Sequence, residues 1–388
     1  MQKFRFHVVG LPHTEITKEF VTCAYTQKVL NFSKMMMSLG HEVYLYGGGD
    51  KTEAPCTEFI SCISAKEQKA FFGGTDVSKK FYPIVWDENL LYWQTMNNNA
   101  VREINVRRKE KDFLCLIGGT CQVPIAKAVP LISVEFGVGY IGIFAQHRVF
   151  ESYAWMHHCY GLNKIENGLN FDAVIPNYWD SSEFPFSEEQ DDYYLYIGRL
   201  TGRKGCHIAA EAVGKMGGKI KIAGQGVIEY IPGKKLVTEE FTLEGDHFEY
   251  LGTVDVKKRG ELMSKAKAVF VPTQYIEPFG GTHIEAMLCG TPVITSDWGV
   301  FTETVTNGFN GYRTRSMGEI EWAMKAVARL DRKAIRKWAI DNFDLERVKI
   351  QYQAFFEQVY TRWDKGYYSD WNNGIANLNR YSDYRPKP

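Results

Sequence analysis

YIEPFGGTHIEAMLCGTPVITSDWG, residues 275–299, decides the reading of this chain. An apolar strand, AVFVPT at 268–273, runs into a Gly-Gly turn at Gly280 and Gly281, and a short helix leaves it at Thr282. Strand, glycine turn and helix in that order form one βα unit of an α/β sheet. The two glycines let the backbone approach a ligand closely. The free N–H groups at the helix start, at the positive end of the helix dipole, favour an anion such as phosphate. Glu277 and Glu285, eight positions apart, cannot serve that phosphate. Carboxylates accept hydrogen bonds from hydroxyl groups, which a ribose or a sugar ring presents. The run Thr282-His-Ile-Glu285 also satisfies a capping box, in which Glu285 reaches back to the Thr282 N–H and does no chemistry. Residue types alone leave both readings open.

A second segment, YLYIGRLTGRKGCHIAAEAV at 194–213, repeats the pattern. An apolar strand ends at Gly198, Arg199 follows at once, and Lys204-Gly205 opens an amphipathic helix. Both cations therefore stand near the carboxyl end of a strand, where open α/β sheets bind ligands. Arginine offers a planar fork to phosphate and lysine a mobile point charge. Either cation alone reads as a solvated loop residue. Two phosphate-suited loops in one domain favour a ligand.

Residues 193–312 resemble the nucleotide-sugar domain of retaining glycosyltransferases of family four, which have the GT-B fold. The resemblance rests on GRLTGRKG at 198–205, KIAGQG at 221–226, FEYLGTVD at 248–255, EPFGGTHIEAMLCGTPVI at 277–294 and TNGFNGY at 306–312, in the expected order. VIPNYWD at 174–180 is similar to the family's domain-junction motif. The resemblance implies an α/β protein of two doubly wound, Rossmann-like domains facing a central cleft. It implies that Arg199 and Lys204 bind the donor diphosphate and stabilise its growing charge, and that Glu277 contacts the donor sugar. Glu285 would hold the ribose, and Gly198 with the backbone from Phe279 through Gly280 and Gly281 to Thr282 would line phosphate and sugar. The co-substrate would be a UDP-, GDP- or ADP-sugar. No cofactor and no metal is expected: no Asp-x-Asp motif occurs, and arginine, lysine and a helix dipole can replace a divalent cation.

At 388 residues the chain is too long for one ordinary core and suits two α/β domains. Forty-six basic and 46 acidic residues balance, so no global charge draws the protein to nucleic acid or anionic membrane. Eight cysteines without CxxC pairs or zinc-like spacing read as reduced thiols. MQKFRFHVVG reads as a first strand rather than a signal peptide. No apolar run approaches the ~20 residues that span a bilayer. The expectation is a soluble protein of the cytoplasm, or of a host's cytoplasm if encoded by a phage or virus.

Residues 4–9 alternate as a strand, Cys23 to Leu39 carry a helical pattern ended by Gly40, and HEVYLYGG gives the next strand. Further strands are expected at Phe113 to Ile117 and Leu131 to Val134, with a charged helix at Val101 to Lys111. Its Arg107-Arg108-Lys109 run reads as a solvated face. The expected domains are 1–177 and 178–363, with the acidic stretch 187–192 as linker, strand and helix alternating to about Arg329, and a tail at about 364–388 packing back on the first domain.

In the first half, Gly137-Val-Gly139-Tyr-Ile-Gly142 satisfies a dinucleotide fingerprint but lacks the helix and acidic strand end it requires. Where the family has a histidine, this chain has Glu135-Phe136. Glu135 either accepts from a sugar hydroxyl or pairs with Arg148. Tyr140 is a second candidate for the acceptor side. The first loop, Gly10-Leu-Pro-His13-Thr14, departs from the family's double glycine. His13 or Thr14 either contacts donor or acceptor, or residues 14–18 cap the following helix. His147, His157 and His158 read as core or surface residues, since no third ligand is spaced to join them. VEFGVGY with RVFESYAWMHH is similar to a subgroup met among phage and virus glycosyltransferases. The expected reaction is transfer of a hexosyl or pentosyl group, with retention, from an NDP-sugar to a glycan. The alternatives are a hydroxymethylated base in phage DNA as acceptor, a GT-B nucleotide-sugar epimerase, or a non-catalytic sugar-nucleotide-binding protein.

Overall fold

The computed structural model describes residues 2–20, 23–73 and 84–362. The chain divides into two compact units. Among the described residues, the first holds those within 2–151, 156–178 and 348–362; the second holds 152–155 and 179–347.

The first unit is built on a parallel sheet of seven strands in the order β3-β2-β1-β4-β5-β6-β7. They are β1 Arg5–Val9, β2 Glu42–Gly48, β3 Glu58–Ile63, β4 Phe113–Leu116, β5 Ile132–Val138, β6 His147–Phe150 and β7 Asp172–Val174. Helices cover both faces of such a sheet, so its strands read as unbroken apolar runs: FLCL of β4 is buried at every position. The helix Ala24–Ser38 follows β1 and brings Phe32 against Phe136, ring centroids 4.5 Å apart. The helix Leu345–Arg362 returns from the second unit. From Val348 it belongs to the first, because Phe356 packs on Phe6 at 4.6 Å and on Phe113 at 4.8 Å, while Tyr352 meets Phe32. Each such ring taken from water contributes about 1.5–3 kcal/mol. That return begins within the span the sequence reading assigned to the second domain; the tail expected at 364–388 lies outside the described residues.

The second unit carries a parallel sheet in the order β13-β9-β8-β14-β15-β16. Its strands are β8 Tyr194–Ile197, β9 Ile220–Ala223, β13 Phe248–Tyr250, β14 Val269–Val271, β15 Val293–Ser296 and β16 Gly311–Thr314. Between β9 and β13 stands an antiparallel sheet absent from the sequence reading: β10 Val227–Ile231, β11 Lys235–Thr238 and β12 Thr242–Glu244. The acidic stretch 187–192 lies inside this unit as a surface segment, with Glu188 on Lys333 and Glu189 on Lys265. The unit boundary falls earlier, between Tyr178 and Trp179.

Other expectations are corrected. The charged helix spans Leu91–Arg107, and Arg107 is not merely solvated: it meets Glu58 at 2.7 Å and Glu103 at 2.7 Å. The fingerprint glycines 137–142 open no helix; irregular chain leads from β5 to β6. Residues 14–18 do not cap the helix Ala24–Ser38, whose N-cap is Cys23. Among the described residues no helix is long and apolar enough to cross a membrane.

Candidate active site

The strand order of the second sheet reverses between β8 and β14, and ligands of open α/β sheets sit outside the carboxyl ends of the strands at such a point. The two loops that leave these strands are 198–205 and 272–280, which carry the cations and glutamates singled out in the sequence.

They are joined directly. Lys204 Nζ lies 2.9 Å from Glu277 Oε2, and the Gln274 N–H donates to the Arg203 carbonyl at 2.7 Å. A Cβ at Gly205 would fall 2.1 Å from the Pro272 carbonyl oxygen, so the helix Cys206–Lys215 can start this close to the end of β14 only with glycine there. Tyr275 sits under both cations, its ring 4.5 Å from the Arg203 guanidinium and 5.0 Å from Lys204 Nζ. Burial, and then the Glu277 carboxylate, push the Tyr275 hydroxyl well up, which keeps its proton for the hydrogen bond to Glu277. Arg199 is exposed just beyond Gly198, and its carbonyl accepts from the Tyr196 hydroxyl at 2.9 Å.

The helix Gly281–Leu288 starts on Gly280, which holds the left-handed φ of 74° and offers no side-chain cap to the first N–H groups. Thr282 is inside the helix, so the capping box does not form. Glu285 turns elsewhere: its carboxylate accepts from Trp179 Nε1 at 3.3 Å and meets Arg259 Nε at 3.1 Å. Two carboxylate oxygens carry about four lone-pair sites, so capacity remains for hydroxyl donors. The Phe279 ring is buried between Trp179 and His283, leaving its backbone as the part that lines the loop.

His283 fixes the glycine turn. Its Nδ1 donates to the Gly280 carbonyl, and its Nε2 accepts from the Thr304 hydroxyl at 2.8 Å. Burial lowers its pKa to about 4, so the ring is neutral. Ser152, in the short segment 152–155 that this unit holds, donates to the Pro278 carbonyl at 2.7 Å, and Glu303 accepts the Ala154 N–H at 2.7 Å. The sequence reading quoted Tyr275, His283, Trp179, Arg203 and Ser152 without giving them roles, and Arg259 stood outside every segment it quoted. A histidine three residues beyond a glycine turn is the one local signal that could have been read.

The candidates of the first half lie in the first unit. Glu135 is fully buried, and its carboxylate is engaged by the loop that follows it rather than by Arg148. Its oxygens accept from the Tyr140 hydroxyl at 3.0 Å and from the N–H groups of Phe144 at 2.9 Å and Ala145 at 2.8 Å. Arg148 is held instead by Asp172, at 2.8 and 2.9 Å. Burial raises Glu135 to about 7 against those hydrogen bonds. It orders the loop 140–145. His13 and Thr14 are buried on the loop after β1; the Thr14 hydroxyl is 2.6 Å from that of Thr26, and burial lowers His13 to about 4. His147 is a core residue beside Phe171. Among the described residues no group of three or more His, Cys, Asp or Glu side chains could hold a metal ion.

Residues 178–334 match the family model described as Glycosyl transferases group 1. The chain is 25% identical over 185 residues to an uncharacterized glycosyltransferase of Methanocaldococcus jannaschii, covering 47% of this chain and 51% of that protein. It is 29% identical over 204 residues to glycogen synthase of Mycobacterium tuberculosis, covering 47% of each. The chain thus spans about half the length of the curated relatives it matches. Among solved structures it resembles sucrose-phosphate synthase of Thermosynechococcus elongatus, with a TM-score of 0.64 and 16% identity over 92% of this chain and 99% of that one. It also resembles the HepE protein of Anabaena in complex with UDP and glucose, with a TM-score of 0.61 and 14% identity over 92% of this chain and 100% of that one. The fold is GT-B, with two Rossmann-like α/β domains.

Proposed function

We propose that the protein is a retaining glycosyltransferase that takes a sugar from a nucleoside diphosphate donor bound by the second unit and passes it to a saccharide acceptor bound by the first. The observation that carries this reading is the Lys204 to Glu277 pair at 2.9 Å, which joins the two loops at the reversal point of the sheet. A cation for the diphosphate and a carboxylate for the sugar hydroxyls thereby stand side by side. The match of residues 178–334 to glycosyl transferases group 1 supports the same class.

In this reading Arg199 and Lys204 counter the charge that grows on the leaving diphosphate. The N–H groups after Gly280 take phosphate oxygens, helped by the helix dipole. Glu277 accepts from the donor sugar, and Glu285, steadied by Trp179 and Arg259, accepts from the ribose. The side chains supply the positive potential, so no metal takes part. The test is consumption of UDP-, GDP- and ADP-sugars in excess EDTA, with and without a saccharide mixture. One donor should be consumed faster with saccharide and unaffected by chelator. Consumption of none would reject the donor reading, and loss in EDTA restored by magnesium or manganese would reject the metal-free step.

A further inference from the structure

The first sheet also reverses its strand order, between β1 and β4, and the carboxyl ends there are joined by Gln122, whose Nε2 donates to the Gly10 carbonyl at 2.9 Å. Three aromatic rings flank that point. Tyr25 opens the helix after β1. Tyr140 follows β5 and lies against Gly119, where an added Cβ would be 3.3 Å from its ring. Trp86 comes from the segment before the helix Leu91–Arg107. Ring centroids are 6.2 Å apart for Tyr25 and Trp86, set edge to face, and 6.1 Å apart for Tyr25 and Tyr140.

Trp86 is held firmly yet left 47% exposed. The Val85 carbonyl before it accepts from the Tyr92 hydroxyl at 2.8 Å and from Trp93 Nε1 at 3.1 Å, and the Trp86 ring rests 5.5 Å from that of buried Trp93. Lys28 Nζ lies over the Tyr25 ring, 5.0 Å from its centroid, with its charge engaged by Glu151 and by the Gly137 carbonyl at 3.2 Å. Thr120 is exposed on the turn after β4, with its hydroxyl 3.4 Å from where a Cβ of Gly142 would stand. The face therefore combines rigid rings, a neutralised cation and a hydroxyl.

We propose that Trp86, Tyr25 and Tyr140 form a saccharide subsite that takes a pyranose ring of the acceptor by stacking on its C–H face, with Thr120 bonding a ring hydroxyl. The assignment rests on the glycosyltransferase reading and names the residues of the first unit that would hold its saccharide acceptor. A nucleic acid would need cations at the surface to meet its phosphates, and Lys28, the cation beside Tyr25, is buried against Glu151.

The experiment titrates full-length protein with methyl glycosides of glucose, galactose, mannose and N-acetylglucosamine, followed by saturation-transfer NMR and tryptophan fluorescence. Parallel titrations use UDP, GDP and a short single-stranded oligodeoxynucleotide. At least one glycoside should bind. Trp86→Ala should weaken it by about 10-fold or more, Trp86→Phe should retain most of the affinity, and nucleotide affinity should stay unchanged in both. The subsite is overturned if Trp86→Ala binds glycosides as the wild type does, if UDP or GDP binds but no glycoside does, or if the oligodeoxynucleotide alone perturbs Trp86. Failure of every nucleotide to bind would overturn the donor reading, and this subsite with it.

Discussion

Replacing Gly280 by alanine should damage stability and turnover together, by amounts the geometry sets. The residue holds φ at 74°, a left-handed conformation that costs an L-residue roughly 1 kcal/mol or somewhat more. Its new Cβ would stand 2.7 Å from Glu277 Cγ, where carbon atoms normally rest ~3.5–4.0 Å apart. Glu277 must therefore withdraw by about 1 Å, enough to break its 2.9 Å contact with Lys204. That partly exposed pair contributes up to about 1 kcal/mol. The total is about 2 kcal/mol, or ~4–8 °C in Tm for a unit of this size. Gly308 supplies the control: its φ is 80°, but nothing lies within 4 Å of an added Cβ. Gly308→Ala should lose only the backbone share, roughly 1 kcal/mol, and keep normal turnover. Urea unfolding and donor consumption, measured on both variants, separate the two contributions. If Gly280→Ala is no less stable than Gly308→Ala and turns over normally, the coupling of the turn to Glu277 is wrong.

Glu285→Gln should weaken nucleoside diphosphate binding, since the amide loses the ion pair to Arg259 and a ribose acceptor, whereas Glu277→Gln should spare nucleotide binding and impair sugar transfer. Calorimetry and turnover on both variants check the split, and nucleotide affinity unchanged in Glu285→Gln would reject the ribose role. The buried histidines should make the protein sensitive to acid. His283 is neutral when folded, with its pKa lowered to about 4 from 6.5, so its contribution is fully present above pH 6.5 and is lost as pH falls toward about 4. The loss from His283 alone is roughly 3 kcal/mol, and His13 and His147, also lowered to about 4, act in the same direction. Urea midpoints should drop between about pH 7.5 and about pH 5, and equal midpoints would contradict the neutral His283.

The parallel strands were legible because full burial leaves an apolar run in the sequence, as in FLCL of β4 and VFV of β14. The two site loops were legible because glycines and cations fall just after such runs. The partner of each charge was not, because partners come from afar in sequence. Glu285 meets Arg259 and Trp179, which no local pattern joins to it, and the nearby Thr282 offered a plausible but unused cap. Glu135 shows the same limit: its oxygens bind backbone N–H groups of Phe144 and Ala145, which carry no residue signature. The sheet β10-β11-β12 escaped notice because its strands are short and β10 is largely exposed, so no burial pattern marks it. Trp86 stood outside every motif and gains meaning only beside Tyr25.

The most direct test of the donor site is calorimetric titration of a UDP-, GDP- or ADP-sugar into the wild type and into a variant carrying both Arg199→Ala and Lys204→Ala. Both cations stand on the loop after β8, so the double variant should fold normally by circular dichroism. The expected result is saturable binding of one sugar nucleotide by the wild type and an affinity lower by about 100-fold or more in the variant, equivalent to about 2.8 kcal/mol. Wild-type affinity in the folded double variant, or no binding of any sugar nucleotide to the wild type, would contradict a donor site at these two loops.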